Sequence, residues 1–334
     1  MTEPKSLLEV EALRVSIKTP GGHLTAVHGV SFSLGAGEVL TIVGESGSGK
    51  SLSARAIIGL LPQGAEARGS IKYDGRELIG EPDRMMRVLR GAHIAMIFQD
   101  PMTALNPVLT VGSQIMEAIR IHNRSASRAE LRREAIRLLD LVSIPHASTR
   151  VDLYPHEFSG GMRQRATIAI AMANRPKILI ADEPTTALDA TVQAQIIEVL
   201  DQLRNEMGLS ILLITHDLGV AASIADKVAV MYAGKIVEIG SAEDIFERPR
   251  HPYAKALLAS LPSMEKRHRL YSLGGLPPAL GQHVSGCAFL PRCKQAIARC
   301  SRDEPVLRYV GQTAVACHLA DPETPQAVEA QSMH

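Results

Sequence analysis

The chain has 334 residues, of which 46% are hydrophobic and 21% charged. This composition supports a packed core and excludes a globally disordered protein, and the length suffices for one large or two modest domains. The 36 Lys and Arg residues nearly balance the 35 Asp and Glu residues, and the net charge of +1 argues against a broad nucleic-acid-binding surface. We expect no signal peptide, and because no uncharged apolar run reaches about 18 residues, we expect no membrane span.

The N-terminal part of the chain predicts antiparallel strands. Residues 7–18 partly alternate apolar and polar positions and residues 26–34 alternate again, as expected of half-buried strands, and Gly21-Gly22 turns the chain between them. Residues 69–75 have the pattern of another short strand with a turn. Together these segments predict a small antiparallel β subdomain.

A glycine-rich segment follows the apolar run 39–43 and precedes the helical run 52–61. Strand, glycine-rich turn and helix form the context of a phosphate-binding loop, in which backbone N–H groups make a positive nest for a polyphosphate. Lys50 can reach the β- and γ-phosphates, and the Ser51 hydroxyl can bind Mg²⁺. The predicted nucleotide-binding residues of the loop are Gly44, Glu45, Ser46, Gly47, Ser48, Gly49, Lys50 and Ser51.

The middle of the chain changes from strand to helix periodicity. Residues 93–98 predict a buried strand, and from about 105 to 175 the apolar positions recur at helical spacing. Ser127 and Glu130 match a capping box, which marks the start of a helix. A second helix is predicted over 163–175, so we expect this insert to form a separate helical lobe.

Beyond the insert, short apolar strands alternate with helices. This alternation predicts a parallel sheet that is covered on both faces. The segments are a strand over 178–182, a helix from Asp189 to about Glu206, a strand over 210–215 and a hairpin over 228–239.

Two adjacent acids, Asp182 and Glu183, end the strand over 178–182. In phosphate-loop enzymes such a strand runs beside the strand of the loop, which would place Asp182 near Mg²⁺ and Glu183 near the γ-phosphate. Neighbouring acids with different tasks suit hydrolysis, since one holds the metal while the other orients or deprotonates water.

A second anion site is predicted just before the helix over 163–175. Ser159, Gly160 and Gly161 offer a hydroxyl, unhindered N–H groups and a helix N-terminus. Two anion sites far apart in one sequence predict a head-to-tail dimer. Each nucleotide would then be clamped between Lys50 of one subunit and Ser159 of the other.

Six segments, taken in order, resemble the ATP-binding-cassette (ABC) ATPases. They are GESGSGKS at 44–51, Gln99, FSGGMRQR at 158–165, ILIADE at 178–183, Ala187-Leu188-Asp189 and His216, and the resemblance covers about residues 7–245. It implies an α/β fold with a P-loop ATPase core on a parallel sheet, an antiparallel β subdomain and a helical lobe that carries a signature motif. The implied ligands are ATP and Mg²⁺.

The resemblance implies a role for each matched residue. Glu183 is the general base, and His216 holds the γ-phosphate and the attacking water. Gln99 contacts Mg²⁺ or water and senses the membrane partner, while Asp189 helps the two sites to communicate. The implied signature residues, which face the ATP of the other subunit, are Ser159, Gly160, Gly161 and Met162. The implied Mg²⁺ ligands are Ser51, Gln99 and Asp182.

The sequence departs from the family where an aromatic residue usually stacks on adenine. Between Lys18 and Ser31 there is no Phe, Tyr or Trp. His23 or Leu24 would occupy that place, which puts nucleotide selectivity in doubt while ATP remains the expected ligand.

A finer resemblance, which extends over nearly the whole chain, is to the ATPase subunits of bacterial dipeptide and oligopeptide importers. It rests on FQDPMTALNP at 98–107, YPH at 154–156, MYAG at 231–234 and RHPYAKALL at 250–258. It implies two membrane permease subunits that dock near Gln99, a periplasmic peptide-binding protein, a second and non-identical ATPase, and a place on the cytoplasmic face of the inner membrane.

The alternatives are the same machinery moving nickel, a glycoside or a peptide antibiotic, and a soluble cassette ATPase that acts on DNA or ribosomes. The balanced charge and the single cassette argue against the soluble ATPase. The expected domains are an ABC ATPase domain at 1–250 with its helical lobe at about 100–175, a C-terminal extension at 251–320 and a disordered tail at 321–334.

Four cysteines, Cys287, Cys293, Cys300 and Cys317, lie in the predicted extension. Their spacing lacks the close CXXC-type pair that structural zinc sites usually contain, and disulfides are disfavoured in the cytosol. Four thiolates can hold a [4Fe–4S] cluster, and some importer ATPases that resemble this tail carry one. We therefore predict a [4Fe–4S] cluster with a structural or regulatory role, with zinc or free thiols as the alternatives.

Overall fold

The structure is a computed structural model that describes residues 6–100, 104–260, 274–279 and 285–320. The predicted disordered tail lies outside these ranges, as do residues 101–103 of the importer-like segment at 98–107. Within these ranges no helix is both long and apolar enough to cross a bilayer.

The strands of the described residues are β1 (Ser6–Thr19), β2 (Gly22–Gly35), β3 (Val39–Val43), β4 (Ala65–Tyr73), β5 (Arg76–Glu77), β6 (Ile94–Ile97), β7 (Ile178–Asp182), β8 (Ser210–Thr215), β9 (Lys227–Tyr232), β10 (Lys235–Ser241), β11 (Arg308–Val310) and β12 (Thr313–Val315). The α-helices there are α1 (Lys50–Ile57), α2 (Asp83–Leu89), α3 (Val111–His122), α4 (Arg128–Leu141), α5 (Ala147–Arg150), α6 (Gly160–Ala171), α7 (Ala190–Met207), α8 (Leu218–Ile224), α9 (Ala242–Glu247) and α10 (Pro252–Ala259).

The predicted antiparallel subdomain is confirmed. Its sheet has the order β2-β1-β4-β5, and the long strands β1 and β2 pair from Ser6 to Thr19. Ala12 has a φ of 48° beside a register shift between Val10 and Leu13. This bulge explains why the N-terminal segment alternates only in part, because an extra residue moves the following side chains to the other face.

The main sheet has the order β11-β12-β10-β9-β3-β8-β7-β6 among the described residues. The strands β9, β3, β8, β7 and β6 run parallel, as the continuous apolar runs predict. All five residues of β3 are buried. Leu40 and Ile42 pack in one core with the antiparallel sheet, whereas Val39 joins the core on the helical side.

The predicted helical lobe contains α3, α4, α5 and α6. The capping box at α4 is confirmed, because Glu130 N–H donates to Ser127 Oγ and the Ser127 N–H donates to the Glu130 carboxylate. The helix predicted over 163–175 begins earlier, at Gly160, and ends at Ala171. Ser159 caps it, so the signature segment starts the helix rather than preceding it.

The C-terminal extension joins the main sheet, which the sequence does not predict. β12 pairs antiparallel with β10 and β11 pairs with β12, so the extension continues the sheet beyond the hairpin. A separate core contains Tyr232 of β9 together with Tyr253 and Phe289 of the extension, the former in α10. Two strands, β10 and β9, thus separate the extension strand β12 from β3, the strand that leads into the phosphate loop.

Candidate active site

The chain between β3 and α1 forms the predicted phosphate loop, and its backbone requires glycine at two positions. Gly44 has a φ of 157°, and a Cβ atom there would lie 2.1 Å from the carbonyl oxygen of Met231. Gly49 has a φ of 100° at the start of α1, where a Cβ atom would lie 3.0 Å from the carbonyl oxygen of Ala26. The loop therefore packs directly on β9 and β2.

Lys50 is buried at the start of α1, and its ammonium group turns back into the loop. Its Nζ donates to the carbonyl oxygens of Gly44 at 2.7 Å and Glu45 at 2.9 Å. Burial lowers the pKa of Lys50, while the nearby carboxylates of Glu183, Asp182 and Glu45 oppose this shift. A polyphosphate would offer Lys50 stronger acceptors than these two neutral carbonyl oxygens.

Ser51 and Asp182 meet where a cation is expected. Ser51 Oγ donates to Asp182 Oδ1 at 2.8 Å, and the other carboxylate oxygen, Oδ2, is buried without a hydrogen-bond partner among the described residues. Burial raises the pKa of Asp182, and the Ser51 hydrogen bond opposes this. The pair fits Mg²⁺, since a hydroxyl and a carboxylate oxygen suit this ion and the cation would satisfy the buried oxygen.

Glu183 follows β7 in an unusual backbone conformation. Its φ is 49°, and its N–H donates to the carbonyl oxygen of Ile214 in β8 at 2.8 Å. Its carboxylate oxygen Oε2 accepts from Gln99 Nε2 at 3.0 Å and from Thr186 Oγ1 at 2.8 Å, and it lies 3.4 Å from His216 Nδ1. Three predicted residues, Gln99, Glu183 and His216, thus meet at one oxygen.

Thr186 is a contact of Glu183 that the sequence does not reveal. It lies three residues after Glu183 in a turn, and it matches none of the patterns that indicate the other site residues. Burial alone would raise the pKa of Glu183, but the hydrogen bond from Thr186 and the adjacent His216 together hold it below its ordinary value. The carboxylate is thereby kept ionised, as a proton acceptor requires.

The signature segment lies at the exposed N-terminus of α6. Ser159 and Gly160 are exposed, and Ser159 Oγ accepts the Met162 N–H at 3.3 Å. A Cβ atom on Gly161 would lie 2.5 Å from Val192, so this glycine allows α6 to approach α7 closely. Asp189 caps α7 by accepting the Val192 N–H at 3.0 Å. The neighbouring Leu188 lies beside the signature turn, because a Cβ atom on Gly160 would lie 3.6 Å from its side chain.

His23, the predicted neighbour of the adenine, is exposed near the start of β2, opposite Lys18. Its predicted contact with the base stays a prediction.

The predicted iron–sulfur cluster is not supported. Among the described residues, which include all four cysteines, no three His, Cys, Asp or Glu side chains are grouped so that they could hold a metal ion. The thiols are close enough to interact electrostatically, but burial raises the pKa of Cys287, Cys293 and Cys317.

Comparisons with known proteins identify the family. A family model described as ABC transporter matches residues 27–186, and a model described as oligopeptide/dipeptide transporter, C-terminal region, matches residues 237–300. The chain is 51% identical over 301 residues to the oligopeptide transport ATP-binding protein OppD of Salmonella typhimurium, covering 90% of each chain. It is 48% identical over 333 residues to the dipeptide transport ATP-binding protein DppD of Bacillus subtilis, covering 97% of this chain and 98% of that protein.

A solved structure agrees with these matches. The dimeric ATP-binding cassette MJ0796, in a post-hydrolysis state bound to ADP and Pi, superposes with a TM-score of 0.64 and 27% identity, covering 70% of this chain and 98% of that one. The chain therefore belongs to the ABC transporter family and is an ABC-type ATPase. Within that family it falls among the transport ATP-binding proteins that carry the oligopeptide/dipeptide C-terminal region.

Proposed function

We propose that this chain is the ATP-hydrolysing subunit of an importer of dipeptides or oligopeptides, held at the cytoplasmic face of the inner membrane by two permease subunits. ATP hydrolysis is supported chiefly by the contacts that Gln99, Thr186 and His216 make with the Glu183 carboxylate. These contacts lie beside the Ser51–Asp182 pair. The peptide substrate is supported by the names of relatives that match nearly the whole chain.

In the proposed mechanism, the phosphate loop binds the triphosphate through its N–H groups and through Lys50, which leaves its two carbonyl acceptors. Glu183 accepts the proton of the attacking water, while His216 holds that water and the γ-phosphate. Mg²⁺, held by Ser51 and Asp182, would neutralise charge on the phosphate oxygens. Since Gln99 also contacts Glu183, its region can report the state of the base to the partner.

The proposed ATP sandwich needs the signature turn of one subunit to reach the nucleotide of another. The exposure of Ser159 and Gly160 supports this proposal, because a turn buried inside its own lobe could not contact a neighbour. The N–H groups at the start of α6 would add a second set of donors to the bound triphosphate. The proposed partner in the sandwich is a second, non-identical ATPase subunit.

A groove between the sheet and the helical lobe supports the proposed permease contact. It has a volume of about 470 Å³, and its walls are mainly apolar. Phe98, next to Gln99, lies on one side and is 38% exposed, while Ile121 of α3 lies on the other and is 63% exposed. A groove of this kind fits the apolar face of a short cytoplasmic helix.

Co-purification from detergent-solubilised membranes tests the proposal. The tagged chain is expected to retain two permease subunits and a second ATPase, and the reconstituted assembly should take up peptides only when MgATP and a peptide-binding protein are present. Uptake of nickel or a glycoside instead of peptides would refute the substrate but keep the ATPase. Recovery of the chain with ribosomes or nucleic acid, and without permeases, would refute the transport role.

A further inference from the structure

Arg292, in the C-terminal extension, contacts the phosphate loop at Glu45. Its Nη1 and Nη2 atoms donate to Oε2 and Oε1 of Glu45, each at 2.8 Å. The Arg292 side chain is only 3% exposed and that of Glu45 is 27% exposed. Two parallel charge-assisted hydrogen bonds fix both the position and the orientation of the Glu45 carboxylate.

An aromatic cluster holds the guanidinium group in place. The ring centroids of Tyr232 and Phe289 are 5.3 Å apart, and those of Tyr232 and Tyr253 are 4.6 Å apart. The guanidinium carbon of Arg292 lies 5.7 Å from the Tyr232 ring and 5.9 Å from the Phe289 ring. Because these rings are buried, Arg292 has little freedom to leave Glu45, and its pairing is stronger than that of an exposed pair.

The backbone of Glu45 is held from the same side. Its N–H donates to the Tyr253 hydroxyl at 3.0 Å, and its carbonyl oxygen accepts from Lys50 Nζ at 2.9 Å. Glu45 therefore connects the extension, through Arg292 and Tyr253, to the lysine that is expected to bind the triphosphate. Loss of the contacts that fix Glu45 would therefore change the conformation of the phosphate loop.

We propose that Arg292 is a positioning residue for MgATP binding, through which the C-terminal extension sets the nucleotide affinity of the phosphate loop. Two effects support it. The ion pair holds the loop in one conformation, which lowers the cost of ordering it when nucleotide binds. It also neutralises a carboxylate beside the site of a polyanion, which would otherwise repel the phosphates. The inference rests on the assignment of the loop as the nucleotide site and does not depend on the transported solute.

Calorimetric titration of the purified full-length chain tests the inference. Arg292→Ala is expected to raise the Kd for MgATP about tenfold, with a smaller rise for MgADP, because the unpaired Glu45 charge repels the more highly charged nucleotide more strongly. Arg299→Ala is the matched control, since Arg299 belongs to the same extension but its side chain is 47% exposed beside Asp303. That variant should bind both nucleotides as the parent does.

Two further variants separate the charge effect and the positioning effect from general damage to the fold. Glu45→Gln in the Arg292→Ala background removes the unpaired charge and should recover the part of the MgATP affinity that charge repulsion costs, while Arg292→Lys, which keeps the charge but loses the bidentate geometry, should fall between the parent and Arg292→Ala. Unchanged MgATP affinity in folded Arg292→Ala would overturn the inference. An equal loss for both nucleotides without recovery by Glu45→Gln would also overturn it. A folded parent chain that binds no MgATP would refute the nucleotide site itself.

Discussion

Glu183 combines a strained backbone with a well-supported side chain. A φ of 49° is rare for a residue with a long side chain, and such conformations cost on the order of 1–3 kcal/mol where they persist. A hydrogen bond from the Glu183 N–H to the carbonyl oxygen of Ile214 stabilises this conformation. In this conformation the Glu183 carboxylate contacts Gln99, Thr186 and His216. The strained backbone therefore directs the carboxylate of the proposed base toward these three side chains.

Replacement of this base by an isosteric amide separates binding from hydrolysis. Glu183→Gln should bind MgATP with the parent affinity, because Lys50 and the loop are intact, but ATP turnover should fall by at least about 100-fold since the amide cannot accept a proton. Nucleotide titration and phosphate release measure the two effects. Glu206→Gln, at an exposed position in α7, is the control that should keep full turnover. Near-parent hydrolysis by Glu183→Gln would show that another group is the base.

The hydrogen bond from Thr186 predicts a pH effect. Burial would raise the pKa of Glu183, and Thr186 is the first of the groups that hold it below its ordinary value. Activity that needs the carboxylate is retained above this lowered pKa and lost as the pH falls through it. Thr186→Val removes the donor but keeps the shape, so the Glu183 pKa should rise and the acid limb of the ATPase pH profile should move to higher pH. An unmoved acid limb would assign that limb to a different group.

Most helices and strands of the core are predictable because their periodicity and caps are local. The capping box at Ser127, the cap at Asp189 and the buried strand over 178–182 each lie within a short window of sequence. The pairing of β12 with β10 is not predictable in this way, since three-residue strands such as β12 carry too little pattern. The Arg292–Glu45 pair joins residues 247 positions apart, and no local signal marks it.

The groove between α3 and the sheet gives a prediction for partner binding. Ile121→Glu places a charge on its apolar wall and should abolish co-purification of the permeases, because burying an unpaired carboxylate is costly. MgATP binding by the isolated chain should not change. Val306→Glu, at a side chain that is 68% exposed in the extension, is the matched control and should keep the permeases. Full retention of the permeases by Ile121→Glu would show that they dock on another surface of the chain.

The two predicted anion sites lie on different parts of the fold. The phosphate loop lies at the end of β3, whereas the signature turn begins α6 in the helical lobe. The extension adds two strands to the far edge of the main sheet and contacts the loop from there through Arg292. One side of the loop is thus held by the extension of the same chain, while the exposed turn is accessible for the proposed contact with the nucleotide of another subunit.

Because the phosphate loop and the signature turn are separate, we expect a negative charge at position 159 to lower the ATP turnover of the assembled importer but not the nucleotide binding of the isolated chain. Aspartate caps helices as well as serine does, so Ser159→Asp should keep α6 while placing a negative charge where the partner's triphosphate is expected. MgATP affinity of the isolated chain should stay at the parent value, because its own loop is untouched, whereas ATP turnover of the reconstituted importer should fall at least about tenfold through charge repulsion. Ser159→Asn, which caps without a charge, should retain most of that turnover. Equal turnover of the Ser159→Asp and Ser159→Asn importers would mean that this turn does not face a nucleotide. Another surface of the partner subunit would then have to contact the bound ATP.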